Sequence, residues 1–68
     1  MTREIEIKIL KLIEEKNYIE VLKICDEILA VNEDAVAYFY KAISKFDLGE
    51  YKEAIKYQNK AIELKNNN

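Results

Sequence analysis

Few side chains in this chain could do chemistry, and their spacing works against them. Cys25 is the single thiol and histidine is absent, so neither a thiol-imidazole pair nor an imidazole base can be assembled. Carboxylates occur as sequence neighbours, Glu14-Glu15, Asp26-Glu27 and Glu33-Asp34. Adjacent residues on a helix diverge by about 100°, so these pairs do not converge on a cation as a metal site requires. The one glycine, Gly49, leaves no glycine-rich cradle for a phosphate. The chain therefore reads as a non-enzyme with no metal and no cofactor, and Cys25 as a small core residue at the centre of an apolar stripe. Lys52, Lys56 and Lys60 form a basic row at four-residue spacing. The row could dock an acidic peptide, but with Glu53 and Glu63 beside it the simpler reading is a solvated helix face.

Composition sets the frame in which those residues sit. Sixty-eight residues make one small domain, 1–68, which on folding buries only about 60% of the surface of the unfolded chain. Half of the residues are hydrophobic and 35% are charged, a balance that supports a folded chain, and the absence of proline favours long helices. A formal charge of −2 disfavours a partner held by phosphate neutralisation, so no nucleic acid is expected. No apolar run approaches the ~20 residues of a membrane span, and Met1-Thr2-Arg3-Glu4 opens no signal peptide. A cytoplasmic address, away from membranes and oxidising compartments, is the resulting expectation.

Helical periodicity recurs four times. Ile5, Ile9, Leu10, Leu12 and Ile13 share a stripe in residues 4–15, and Tyr18, Val21, Leu22, Cys25, Ile28 and Leu29 share one in residues 18–31. Residues 35–47 group Ala35, Tyr38, Phe39, Ala42, Ile43 and Phe46, and residues 51–64 group Tyr51, Ala54, Ile55, Gln58, Ala61 and Ile62. Gly49 marks a helix stop in the left-handed conformation. Lys16-Asn17 is the weaker counterpart, with asparagine expected to take the same conformation. In the middle break Asn32 is the expected N-cap, with Glu33 and Asp34 complementing the helix dipole. That break holds no glycine or proline, which leaves open a continuous helix over 18–47 and an exchange of halves between two chains.

A shift of 33 residues aligns Lys8 with Lys41, Tyr18 with Tyr51, Glu20 with Glu53 and Lys23 with Lys56. Apolar positions coincide as well: Leu10 with Ile43, Ile13 with Phe46, Leu22 with Ile55 and Leu29 with Ile62. Two hairpins, 1–34 and 35–68, share one plan. Tyr38, Ala42, Gly49, Tyr51, Ala54 and Ala61, with the run Gly49-Glu50-Tyr51-Lys52-Glu53-Ala54-Ile55, resemble a tetratricopeptide repeat over residues 35–67. Residues 1–34 share the hairpin geometry only, with Ile9, Val21 and Ile28 where that family uses small residues and Lys16 where it uses glycine. Larger β-branched residues there should hold the first two helices farther apart. Lys41, Lys45, Gln58 and Asn66 also depart from the pattern.

The resemblance implies an all-α fold of two stacked helix-turn-helix hairpins, a fragment of a right-handed superhelical solenoid, acting as a protein-protein interaction module. In that family the first helix of each hairpin lines a groove for a peptide or partner helix. Here this implies a groove of Ile7, Leu10, Val36, Phe39, Tyr40 and Ile43, in which Ile7 and Tyr40 point away from the helical stripes. Members that capture a C-terminal carboxylate use asparagines and basic residues at such positions, whereas Glu6, Leu10 and Tyr40 stand here. Small Ala42, Ala54 and Ala61 would let the last two helices cross closely, with Tyr51 wedged between them, ring buried and hydroxyl wet. Tyr57 and Leu64 are expected on an uncovered outer flank, which favours self-association. The alternative is accordingly a self-associating or engineered repeat fragment, a homodimer that could be domain-swapped, with no other ligand.

Overall fold

The computed structural model describes residues 1–66, so positions 67 and 68 of the expected second hairpin lie outside the described residues. Four helices follow one another: α1 (Arg3–Glu14), α2 (Tyr18–Val31), α3 (Ala35–Asp47) and α4 (Tyr51–Asn66). Each periodic segment has become one helix, and the fold is all-α in two antiparallel hairpins. Thr2 caps α1 by accepting from the Ile5 N–H at 3.3 Å.

The two hairpin turns are built alike. After α1 the Lys16 N–H donates to the Ile13 carbonyl and the Asn17 N–H to the Leu12 carbonyl, at 2.9 and 2.8 Å. After α3, 33 residues on, Gly49 donates to Phe46 and Glu50 to Lys45, at 3.0 and 2.9 Å. Both are the crossed pair of hydrogen bonds that closes a helix through one left-handed residue. That residue is Gly49, with φ of 83°, in the second turn. In the first it is Lys16, with φ of 60°, and not Asn17, whose φ is −90°. The hydrogen-bond frame has carried over where the residue suited to it has not.

The middle break differs from its expected form. Asn32 is extended, at φ −161° and ψ 149°, and ends α2, so α2 and α3 are separate helices and no continuous helix spans 18–47. Asp34, not Asn32, is the N-cap of α3. Its Oδ1 accepts from the Val36 and Ala37 N–H groups at 2.9 and 3.1 Å, and its Oδ2 accepts from the Met1 amino group at 2.8 Å. A two-oxygen carboxylate can serve the helix end and a second donor at once, which an asparagine amide cannot do as well.

The core lies between the first hairpin and α3. Ile9 of α1, Val21 and Cys25 of α2, and Ala37 and Tyr40 of α3 are buried together, with Ile5, Leu12, Ile13, Ile28 and Leu29 packed around them. On the other side of α3, Ala42 is buried, as are Ala54 and Ala61 of α4. α3 and α4 approach each other more closely than α1 and α2 do. Alanine at the α3–α4 contact and isoleucine or valine at the α1–α2 contact account for the difference. The whole is a slab of 33 × 28 × 17 Å, so thin that many large apolar side chains stay on its surface.

Charged departures from the repeat pattern are satisfied locally. Lys41 donates to Asp26 Oδ1 at 2.6 Å and lies 4.2 Å from the centre of the Tyr57 ring, tying α2, α3 and α4 together. Lys45 pairs with Glu50 and Glu53 at 3.4 and 3.5 Å. Tyr57 also stacks on Tyr38 at 6.1 Å, so it sits half-buried against α3 and not on an outer flank as its sequence position suggests.

Candidate functional site: an apolar trough between the last two helices

The chemically capable residues are occupied by structure. Cys25 is fully buried, and burial, reinforced by the nearby Asp26 charge, pushes its thiol up to about 11. Asp26 holds Lys41, Glu33 accepts from Tyr38 and faces Lys60 at 3.8 Å, and Asp34 caps α3. The Lys52, Lys56, Lys60 row is thereby interrupted: Lys60 turns to Glu33, and Lys56 approaches the Tyr57 ring at 5.9 Å.

The expected groove is only partly on the surface. Ile7 and Leu10 of α1 are 57% and 52% exposed, and Val36 and Phe39 of α3 are 39% and 43% exposed. Ile43 is half-buried. Tyr40 is the correction: it is 6% exposed, and its hydroxyl donates to Glu6 Oε1 at 2.9 Å. Burial and that carboxylate push its hydroxyl up to about 12. Tyr40 is therefore the side chain that docks α3 onto α1 and α2, not a groove residue. Tyr51 departs too. The residue is 58% exposed, and its ring meets Phe46 of α3 edge-on at 5.2 Å, so it is not the buried wedge expected between the two helices.

What the structure brings together instead is a trough along α3 and α4. Two adjoining hollows form it. One, of about 480 Å³, is walled by Ala42, Ile43, Phe46, Asp47, Ala54, Ile55, Gln58 and Asn59. The other, of about 340 Å³, is walled by Ala35, Val36, Phe39, Gln58, Ala61, Ile62 and Lys65. Val36, Phe39 and Ile43 of the expected groove belong here, while Ile7 and Leu10 stand outside both hollows.

Phe46, Ile55 and Ile62 were assigned by periodicity to the buried stripes, yet they are 60%, 61% and 49% exposed. The 33-residue register explains why. It matches them to Ile13, Leu22 and Leu29 of the first hairpin, and Gln58 to Cys25. In the first hairpin those positions are buried or half-buried, with Ala37 and Tyr40 of α3 packed into the same cluster as Cys25. The first hairpin thus carries the same trough, already filled by a helix. The second carries it open.

A pair of antiparallel hairpins repeating side-chain positions and turn hydrogen bonds at one interval is a helical-hairpin repeat. Residues 35–68 match the tetratricopeptide repeat family, and the chain belongs to that family. A TPR repeat-containing protein of Methanocaldococcus jannaschii is similar, 36% identical over 58 residues that make up 84% of this chain. The chain spans about a tenth of the length of that relative. No solved structure gives a significant match. Repeats of this family mediate protein-protein interaction and typically serve as interaction modules and not as enzymes. Among the described residues, no helix is long and apolar enough to cross a membrane.

Proposed function

We propose that the chain is a protein-protein interaction module whose α3–α4 trough seats an amphipathic helix. The observation that carries this reading is internal. The equivalent trough of the first hairpin is occupied by α3, so the shape and spacing of these walls suit a helix with a small residue and an aromatic knob, as in Ala37 and Tyr40. Exposed Phe46, Ile55 and Ile62, with Val36 and Phe39, supply the apolar area that such a helix would remove from water. Since the one thiol is packed in the core and remains unpaired, the fold needs no oxidising compartment, which fits a cytoplasmic setting.

A fluorescein-labelled peptide of residues 35–47 tests the seat, because by the repeat register it carries the matching surface. Anisotropy should rise saturably with added protein, Ile55→Lys or Phe46→Lys should weaken binding at least tenfold, and Ile7→Lys should leave it unchanged. A second reading keeps the peptide on α1, since Ile7 and Leu10 are exposed and three residues apart on one helix face. It predicts the reverse pattern, with Ile7→Lys and Leu10→Lys impairing binding and Ile55→Lys harmless.

A further inference from the structure

We infer that Gln58 is the specificity-determining residue of the trough, and that it selects a helix of another protein carrying a tyrosine hydroxyl midway along its buried face. This rests on the reading of the trough as a helix seat and names the chemistry of its occupant.

The filled seat shows what an occupant needs. Ala37 and Tyr40 of α3 are buried there with Ile9, Val21 and Cys25. The Tyr40 hydroxyl donates to Glu6 Oε1 at 2.9 Å, which satisfies a polar group carried into an apolar cluster. Cys25 is close enough to that hydroxyl to bear on its ionisation. The aromatic knob thus has a strong acceptor on the first helix of the hairpin and a weakly polar thiol on the second.

The open seat exchanges those two roles. In the 33-residue register Ile9, Val21 and Cys25 become Ala42, Ala54 and Gln58, which line one hollow together. Glu6 becomes Phe39, so a ring stands where the carboxylate was, and the amide of Gln58 replaces the thiol. Gln58 lines both hollows, whereas Asp47 and Asn59 border only the first and Lys65 only the second. Its side chain is exposed and makes no hydrogen bond among the described residues. A helix laid over the trough takes that amide out of water, and a wholly apolar face would leave it unsatisfied. A tyrosine hydroxyl in the Tyr40 position can donate to the amide oxygen or accept from the amide nitrogen.

The open seat also continues an interface the molecule already uses. Ala37 and Tyr40 of α3 fill the first seat, while Val36, Phe39 and Ile43 of the same helix wall the second. The occupant is not α3 of a second copy, because the Tyr40 of each copy is held by its own Glu6.

Paired peptides give the test. Fluorescein-labelled residues 35–47, and the same peptide with Tyr40→Phe, are titrated into the full chain and into its variants, with circular dichroism confirming retained helix. The wild type should bind the tyrosine peptide about fivefold more tightly than the phenylalanine peptide. Gln58→Leu should remove or reverse that preference. Adding Phe39→Glu to Gln58→Leu should restore it, by returning a carboxylate to the position equivalent to Glu6. Each preference is a ratio within one variant, so a loss of apolar area common to both peptides cancels. Equal binding of the two peptides by the wild type, or a tyrosine preference that survives Gln58→Leu, would overturn the role of Gln58 and leave the seat standing. Absence of binding by either peptide, or binding indifferent to Ile55→Lys, would overturn both. In sedimentation velocity the wild type should be monomeric; a dimer dissociated by Ile55→Lys would give the seat to a second copy and overturn this choice of occupant.

Discussion

Lys16 and Gly49 do the same work with unequal means. A left-handed backbone costs an L-residue roughly 1–2 kcal/mol, which glycine avoids at the expense of a more flexible unfolded chain. Lys16→Gly should therefore raise stability by about 0.5–1 kcal/mol, and Gly49→Ala should lower it by about 1 kcal/mol, both read from urea unfolding. A Cβ at Gly49 would meet nothing within 4 Å, so that loss is one of backbone conformation alone. Ser44 offers a second check. Its Oγ is fully buried with no hydrogen-bond partner among the described residues. Ser44→Ala removes a desolvated hydroxyl and adds helix propensity, and should raise the melting temperature by roughly 4–8 °C, the equivalent of about 1 kcal/mol in a domain of this size. An unchanged or lower melting temperature would mean that the hydroxyl is satisfied in solution. The lone thiol was legible from its place on a stripe, but Tyr40 was not. Helical periodicity describes one buried arc, whereas α3 is packed on two sides, by the first hairpin at Ala37 and Tyr40 and by α4 at Ala42. The reverse error fell on Phe46, Ile55 and Ile62, which lie on well-formed arcs that this molecule does not cover.

Among the elements, the four helices could be read closely because caps, turns and periodicity agree over each segment. The middle break was harder, since Asn32, Glu33 and Asp34 are all acceptable at a helix start and only geometry selects among them. Asp34 wins by serving two N–H groups of α3 and the Met1 amino group together. Burial alone would raise its pKa, but the hydrogen bonds and the amino group prevail and hold it below the ordinary carboxylate value. A group depressed in the folded state stabilises above its unfolded pKa of about 3.9, and that contribution fades as pH falls through the folded value. Asp34→Ala should accordingly cost about 1 kcal/mol near neutral pH through loss of the cap, with the difference from wild type shrinking below pH 4. Urea unfolding at pH 7 and pH 3 checks both parts, and an equal difference at the two would assign the loss to packing and not to the carboxylate. The close approach of α3 and α4 was also readable, because Ala42, Ala54 and Ala61 leave little between the helix axes.

At the scale of the whole molecule, a slab 17 Å thick cannot enclose half its residues, and the apolar excess has to go somewhere. The repeat decides where. The first hairpin spends its trough on α3, and the second presents the same trough with Phe46, Ile55 and Ile62 exposed. Sequence periodicity identified the walls but not their openness, because openness depends on which helix packs onto them and not on any residue in the wall. The central claim is that this trough, and not the outer face of α1, is where a helix docks. Isoleucine δ1-methyl NMR tests it most directly, with the residue 35–47 peptide titrated into methyl-labelled protein. The structure predicts that the Ile43, Ile55 and Ile62 methyl signals shift with the peptide while Ile7 and Ile19 stay in place. Movement of Ile7 with Ile55 and Ile62 unchanged would contradict it.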